Sequence, residues 1–95
     1  MSDAPRVTVE FTSALRNFFP ALRRCEVRAH TVRDAVQALE ALHPGLGAYL
    51  LEDHGALRHH VNIFVDNDLI ADRQKLSDPL RQGASVFIVQ ALSGG

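Results

Sequence analysis

Apolar and polar residues alternate from Arg6 to Thr12, with Val7, Val9 and Phe11 on one face and Arg6, Thr8, Glu10 and Thr12 on the other. A period of two marks a half-buried strand. Phe18-Phe19-Pro20 breaks the pattern, and alternation resumes from Arg24 to Ala29, where Cys25, Val27 and Ala29 oppose Arg24, Glu26 and Arg28. The two runs predict a hairpin with a long connection. The period then changes. Val32, Ala35, Val36, Leu39 and Leu42 fall at i, i+3, i+4, i+7 and i+10, while Arg33, Gln37 and Glu40 point away, which predicts an amphipathic helix of about three turns. Thr31 is a suitable N-cap, Asp34 suits the first turn, and His43-Pro44-Gly45 ends the helix. Leu46 to Glu52 is compatible with a further short helical turn before Asp53-His54-Gly55.

Val61, Ile63 and Val65 alternate with Asn62, Phe64 and Asp66 in a third strand, and Asp66-Asn67-Asp68 suits a turn. Leu69 to Ala71 reads as a short edge strand, and Leu76, Pro79 and Leu80 read as part of a loop that can include a helical turn. Gly83 opens a last strand in which Val86 and Ile88 alternate with Phe87 and Val89. The order β, β, α, β, short β, β predicts an α+β fold, a mixed sheet of four to five strands with one main helix packed on one face. The first and last strands are expected to be parallel neighbours. The chain contains no repeat, low-complexity tract or linker; residues 1–90 read as one domain and 91–95 as a flexible tail.

At 95 residues the chain supports one core without staples, which favours a small carrier or binding module over a self-sufficient enzyme. A net charge of −1 with both signs scattered gives no electrostatic footprint for nucleic acid or an anionic membrane. Arg23-Arg24 and Arg58-His59-His60 read as solvated edges. Cys25 is the only cysteine, which excludes an internal disulfide and fits a reducing compartment, so cytoplasm is expected. Met1 to Pro5 lacks the pattern of a secretory leader, and no apolar run has the length of a membrane span; a soluble, unprocessed chain is expected.

The chain ends Ser93-Gly94-Gly95 directly after the last strand. Two glycines lack a Cβ and accept nearly any backbone conformation, so such an end can thread a narrow channel and carry its carboxylate into another protein's active site. A carboxylate becomes electrophilic when joined to AMP from ATP, after which a thiolate or sulfide can attack. Frayed termini are common, but at about 7% glycine a chance Gly-Gly ending arises in roughly one chain in 200.

Sheet parity assigns the other candidates. With Val86 and Ile88 toward the helix, Phe87 and Val89 face the other way, and the same rule sends Phe64 outward. An apolar outer face reads as a docking patch, because one helix covers one sheet face; the alternative is that loops or the Phe18-Phe19 connection cover it. Asn62 shares that face, either solvated or bonded to a neighbouring strand or a partner's tail. A thiolate at Cys25 could relay sulfur, but its phase with Val27 and Ala29 favours an inert packing residue with a raised pKa. The histidines, His30, His43, His54, His59 and His60, match no zinc spacing, and His59 and His60 on a strand would point to opposite faces. Ser13, Ser77, Ser85 and Ser93 have no neighbouring His/Asp arrangement, and no glycine-rich loop precedes a helix, so autonomous catalysis is not expected.

The ββαββ order and a final strand running into Gly-Gly resemble the ubiquitin-like β-grasp proteins, and among them the bacterial sulfur carriers of the MoaD/ThiS type. Val61-Asn62-Ile63-Phe64-Val65-Asp66-Asn67-Asp68 and Leu80 to Val89 leading to Ser93-Gly94-Gly95 carry the likeness. Gly55 to Ile63 is also similar to the carrier of thiocarboxylate-dependent cysteine synthesis. The resemblance implies that an E1-like enzyme adenylates the Gly95 carboxylate with Mg-ATP and that a sulfur donor converts it to a thiocarboxylate. A sulfur-accepting biosynthetic enzyme then uses that sulfur, for molybdopterin, thiamine, cysteine or a specialised metabolite. The chain would hold no permanent cofactor, and ATP and Mg would belong to the partner. Gly94 would be the narrow stem, and Phe64, Phe87, Val89, Leu92 and Ser93 the partner-contacting residues. Gly83-Ala84-Ser85 replaces an acidic turn of many relatives and Gln90-Ala91-Leu92 a proline, both where family members meet their partners. Two rivals share parts of this reading: a protein modifier joined to lysine through Gly95, and a β-grasp interaction module that is never activated.

Overall fold

The computed structural model describes residues 4–90. Strands β1 (Arg6–Phe11) and β2 (Cys25–Arg28) pair antiparallel with Val7 opposite Val27 and Val9 opposite Cys25. Helices α1 (Val32–Leu42) and α2 (Leu46–Leu50) follow. Strands β3 (Val61–Val65), β4 (Asp68–Leu69) and β5 (Ser85–Gln90) complete a five-stranded sheet of order β2-β1-β5-β3-β4. β1 and β5 run parallel, as the sequence order requires, and the other pairs are antiparallel.

α1 starts where the capping chemistry places it. The Asp34 N–H donates to Thr31 Oγ1 at 3.2 Å, a cap that contributes about 1 kcal/mol, and Asp34 Oδ2 accepts from the His30 N–H at 3.3 Å. Val32, Ala35, Val36 and Leu39 are buried against the sheet. Leu42, assigned to that stripe by spacing, is 58% exposed, because the helix ends there and its last turn extends past the core. The glutamate on the polar face also joins the two helices. Glu40 accepts from the Gly45 N–H at 3.0 Å and the Gly47 N–H at 2.7 Å, binding the start of α2 to α1. These bonds draw the Glu40 carboxyl below its ordinary value.

The β1–β2 connection contains a 3-10 helix, Ser13–Asn17, which the alternation did not reveal. Its Leu15, with Leu22 beyond it, is fully buried at the open side of the core. The β3–β4 turn is a two-residue loop with Asp66 and Asn67 both at positive φ, 50° and 76°, the type I′ pattern that matches strand twist. The loop after β4 is organised by two carboxylates. Asp72 accepts from the N–H groups of Gln74 and Lys75 and from the Ser77 hydroxyl, while Asp78 accepts from the N–H groups of Ala71 and Asp72. Leu76 is thereby held in the core at φ 55°. No helix among the described residues is long and apolar enough to cross a membrane.

Candidate functional site

The sheet has two unlike faces. Val7, Val9, Phe11, Val27, Val61, Ile63, Val86 and Ile88 form the floor beneath the helices. On the opposite face register aligns a row across four strands: Leu69 beside Phe64, Phe64 beside Phe87, and Phe87 beside Glu10. Val89 pairs with Asn62 in the adjoining row. Phe87 is 40% exposed and Leu69 57%, whereas Phe64 and Val89 are half-buried. The Phe18-Phe19 connection does not form a lid over these residues. Both rings turn instead to Tyr49 of α2, with centroids 5.1 and 5.7 Å from its ring. A shallow groove of about 320 Å³ runs along the end of the row remote from Gln90, lined by Glu10, Asp66, Asn67, Ser85 and Phe87.

Asn62 is half-buried, and its side-chain oxygen is bonded within the chain. Arg73 Nη1 donates to its Oδ1 at 3.0 Å, and Arg73 Nη2 donates to the Arg58 and Val61 carbonyls at 2.9 Å each. One guanidinium thus ties the Asp72 loop to the start of β3, using the planar fork that arginine offers and lysine does not.

The strand carrying the tail is held at its last described residue. Gln90 lies on the helix-bearing face, in phase with Val86 and Ile88, and pairs with Val61. The Tyr49 hydroxyl donates to Gln90 Oε1 at 3.0 Å, and the Gln90 N–H donates to Thr12 Oγ1 at 3.4 Å. Sequence reasoning missed Tyr49 and Thr12, since a five-residue helix shows too little periodicity to orient its one tyrosine. Leu92, Ser93, Gly94 and Gly95 lie outside the described residues.

Cys25 is half-buried rather than enclosed, because β2 is an edge strand; burial still pushes its thiol up. His59 and His60 do not belong to a strand. They occupy a turn before β3, and their rings meet edge to face at 5.7 Å. Among the described residues no group of three His, Cys, Asp or Glu side chains converges as a metal site.

Comparison with known proteins adds a family. No curated protein matches the chain in sequence. Among solved structures, a chain of the Amycolatopsis orientalis BexX/CysO complex superposes with a TM-score of 0.80 at 24% identity, covering 94% of this chain and 99% of that one. SAMP1 from Haloferax volcanii gives 0.79 at 25% identity, with 95% and 99% covered, and CysO from Mycobacterium tuberculosis 0.78 at 26%, with 90% and 99% covered. These are likenesses of fold, and they match the observed strand order and helix placement as ubiquitin-like β-grasp. The ThiS family matches residues 17–95, which takes in α1, every strand from β2 onward and the terminal Ser93-Gly94-Gly95. The chain belongs to the ThiS family and has the ubiquitin-like β-grasp fold.

Proposed function

We propose that the protein is a sulfur carrier whose reacting atom is the Gly95 carboxylate. The observation that carries this reading is the reach of the ThiS match, which runs through Gly94 to Gly95. In the cycle a carboxylate oxygen of Gly95 attacks the α-phosphorus of ATP in an E1-like partner that supplies Mg, and pyrophosphate leaves. Hydrosulfide then attacks the acyl carbon and AMP leaves, giving the thiocarboxylate directly, or a donor's persulfide attacks and a second thiol cleaves the resulting acyl disulfide, leaving the thiocarboxylate and a donor disulfide. The thiocarboxylate then passes its sulfur to a biosynthetic enzyme. Gly94 is the stem that fits the partner's channel. Leu92, Ser93 and the outer-face residues Phe64, Phe87 and Val89 make the contacts that bring the partners to it. The catalytic groups belong to those partners, and the carrier works where they are, in the cytoplasm. Gly55 to Ile63, similar to the carrier for cysteine synthesis, inclines the accepting pathway toward cysteine or a related thiocarboxylate route.

Intact-mass analysis of the protein isolated from its own cell tests the reading. Replacement of one C-terminal oxygen by sulfur is the expected finding, and its repeated absence under sulfur demand would count against it. A second reading has one observation in its favour, the likeness to SAMP1, a small archaeal modifier protein. In that case the activated Gly95 is joined to a lysine amine, and the same spectra contain isopeptide-linked species.

A further inference from the structure

β2 is an edge of the sheet, and its free side carries backbone groups that the described part of the chain does not use. On β1 the Thr8 N–H donates to the Ala84 carbonyl at 2.9 Å and the Arg6 carbonyl accepts from the Gly83 N–H at 2.8 Å, so these residues bond toward β5. Val7 and Val9 are left to bond Val27 and Cys25, in step with the Ala29 N–H, which donates to the Pro5 carbonyl at 2.9 Å. The N–H and C=O of Glu26 and Arg28 therefore point away from the sheet, and neither residue's main chain has a partner there among the described residues. Both side chains are exposed on the outer face, Glu26 beside Thr8 and Arg28 beside Arg6. Arg6 Nε lies 3.9 Å from Glu26 with both side chains more than half exposed, whereas Arg28 donates to the Ala4 carbonyl at 3.1 Å and has no ion pair among the described residues. An arginine directly opposite another arginine is a place for a carboxylate.

We propose that the β2 edge is a self-pairing surface that takes the same edge of a second copy of this chain, antiparallel, with Glu26 opposite the partner's Arg28. Register selects this occupant. Only alternate residues present outward main-chain groups, so the possible registers differ by steps of two residues. One sets Glu26 against its own copy and Arg24 against Arg28; another sets Arg28 against its own copy. Both oppose like charges. The register between them sets Glu26 against Arg28 at two symmetric positions, with Val27 at the two-fold axis. Each such pair exchanges two main-chain bonds, and each Glu26 carboxylate reaches the partner's Arg28 where Arg6 lies beside it. Charged edge residues commonly keep copies apart, but this alternation of sign admits one register. The outer faces of both copies fall on the same side of the joined sheet, and the row of Phe64 and Phe87, on β3 and β5, stays uncovered. So short a ladder makes a weak dimer, formed on concentrating the protein. The proposal is independent of the carrier reading.

Sedimentation velocity of the full chain at rising concentration tests it, together with amide hydrogen exchange at low and high concentration. Reversible dimerisation is expected. Exchange at Glu26 and Arg28 should slow as the dimer forms, while Val27, already bonded to β1, changes little. Glu26→Arg and Arg28→Glu each oppose like charges at both symmetric positions and should weaken the dimer about tenfold or more. An equimolar mixture of the two variants should restore association, because each supplies the sign the other lacks, and this rescue also shows that both are folded. A monomer at every concentration overturns the proposal, as does a dimer in which Glu26 and Arg28 exchange is not slowed. A dimer that both variants retain, or a mixture of them that fails to associate, overturns it equally. Association lost in Phe87→Thr and kept in the charge variants would assign the self-contact to the outer face instead.

Discussion

Phe64 and Phe87 stand directly opposite each other on adjacent antiparallel strands, on the sheet face that neither helix covers. Leu69 continues the row outward and Glu10 closes it on the far side. An aromatic pair in this position contributes to sheet stability only what a cross-strand contact provides, about 0.2–1 kcal/mol. Under the proposed carrier reading, in which this face docks the partners, the pair is worth more, because aromatic residues at the centre of an interface commonly contribute about 2 kcal/mol or above. Phe87→Thr, which keeps a strand-compatible side chain and adds no charge opposite Glu10, is therefore expected, on the carrier reading, to weaken binding to the adenylating partner by roughly tenfold or more, with stability reduced by about 1 kcal/mol. Calorimetric titration against that enzyme and chemical denaturation of the free chain measure the two quantities separately.

The β3–β4 turn has a sharper sequence requirement than its exposure indicates. Asn67 sits at φ 76°, where a Cβ-branched side chain collides with its own backbone. Asn67→Val is expected to cost about 1–2 kcal/mol, and Asn67→Gly to fall within a few tenths of neutral or to stabilise. Urea midpoints for the three chains decide the matter. Equal midpoints for valine and asparagine would mean that the turn adopts another form in solution.

Much of this fold was legible in the chain because periodicity and capping agree. Thr31, Asp34 and the i, i+3, i+4 spacing fix α1 at both ends, and the alternations at Val7, Val61 and Val86 fix three strands and the face each presents. Even the outward direction of Phe64, Phe87 and Val89 follows from parity alone. What was not legible depends on contacts between residues distant in sequence. Leu15 and Leu22 lie in a segment without periodicity, and only the shape of the core explains their burial. Asn62 finds its partner eleven residues away in a loop, and Tyr49 finds Gln90 across forty-one. Leu42 fits the helical stripe and is exposed because the stripe outlasts the sheet beneath it.

The loop after β4 carries a pH response. Asp72 has its carboxyl lowered from 3.8 to about 2, first by the Ser77 hydroxyl and next by the Lys75 N–H, with further N–H groups of Ser77 and Gln74 assisting. A folded-state pKa below the unfolded one stabilises at higher pH, so the contribution is complete above the unfolded value and is lost as pH falls through the folded value. The thermal midpoint should decline between about pH 4 and pH 2, and Asp72→Asn, which cannot ionise, should flatten that portion of the curve while lowering the midpoint at neutral pH. Melting across this range, with the Asn62 and Arg73 amide signals followed by NMR, reports whether the loop loosens first. A curve of identical shape in the variant would assign the acid transition to other carboxylates.

Lys75 is the one lysine in a sequence with nine arginines, which makes the terminal chemistry unusually easy to partition. An activated Gly95 acyl group can be taken by sulfur or by an amine, and Lys75 is the only side chain of this protein able to supply the amine. Its exposed position on the Asp72 loop leaves it accessible. Lys75→Arg keeps the positive charge and removes that nucleophile. The substitution is expected to leave C-terminal sulfur loading unchanged while abolishing any amide linkage between copies of the chain through a lysine. Deleting Gly95 should abolish both, with the melting temperature unaltered, because the buried core of the described residues lies between Ala4 and Ile88. Intact-mass spectra of the wild-type, Lys75→Arg and Gly95-deleted chains recovered from the native cell distinguish these outcomes. Sulfur retained on the chain after Gly95 is removed would relocate the reacting group, with Cys25 the next thiol-bearing position to test. Loading that disappears in Lys75→Arg would instead place that loop, rather than the sheet face of Phe64 and Phe87, in contact with the activating enzyme.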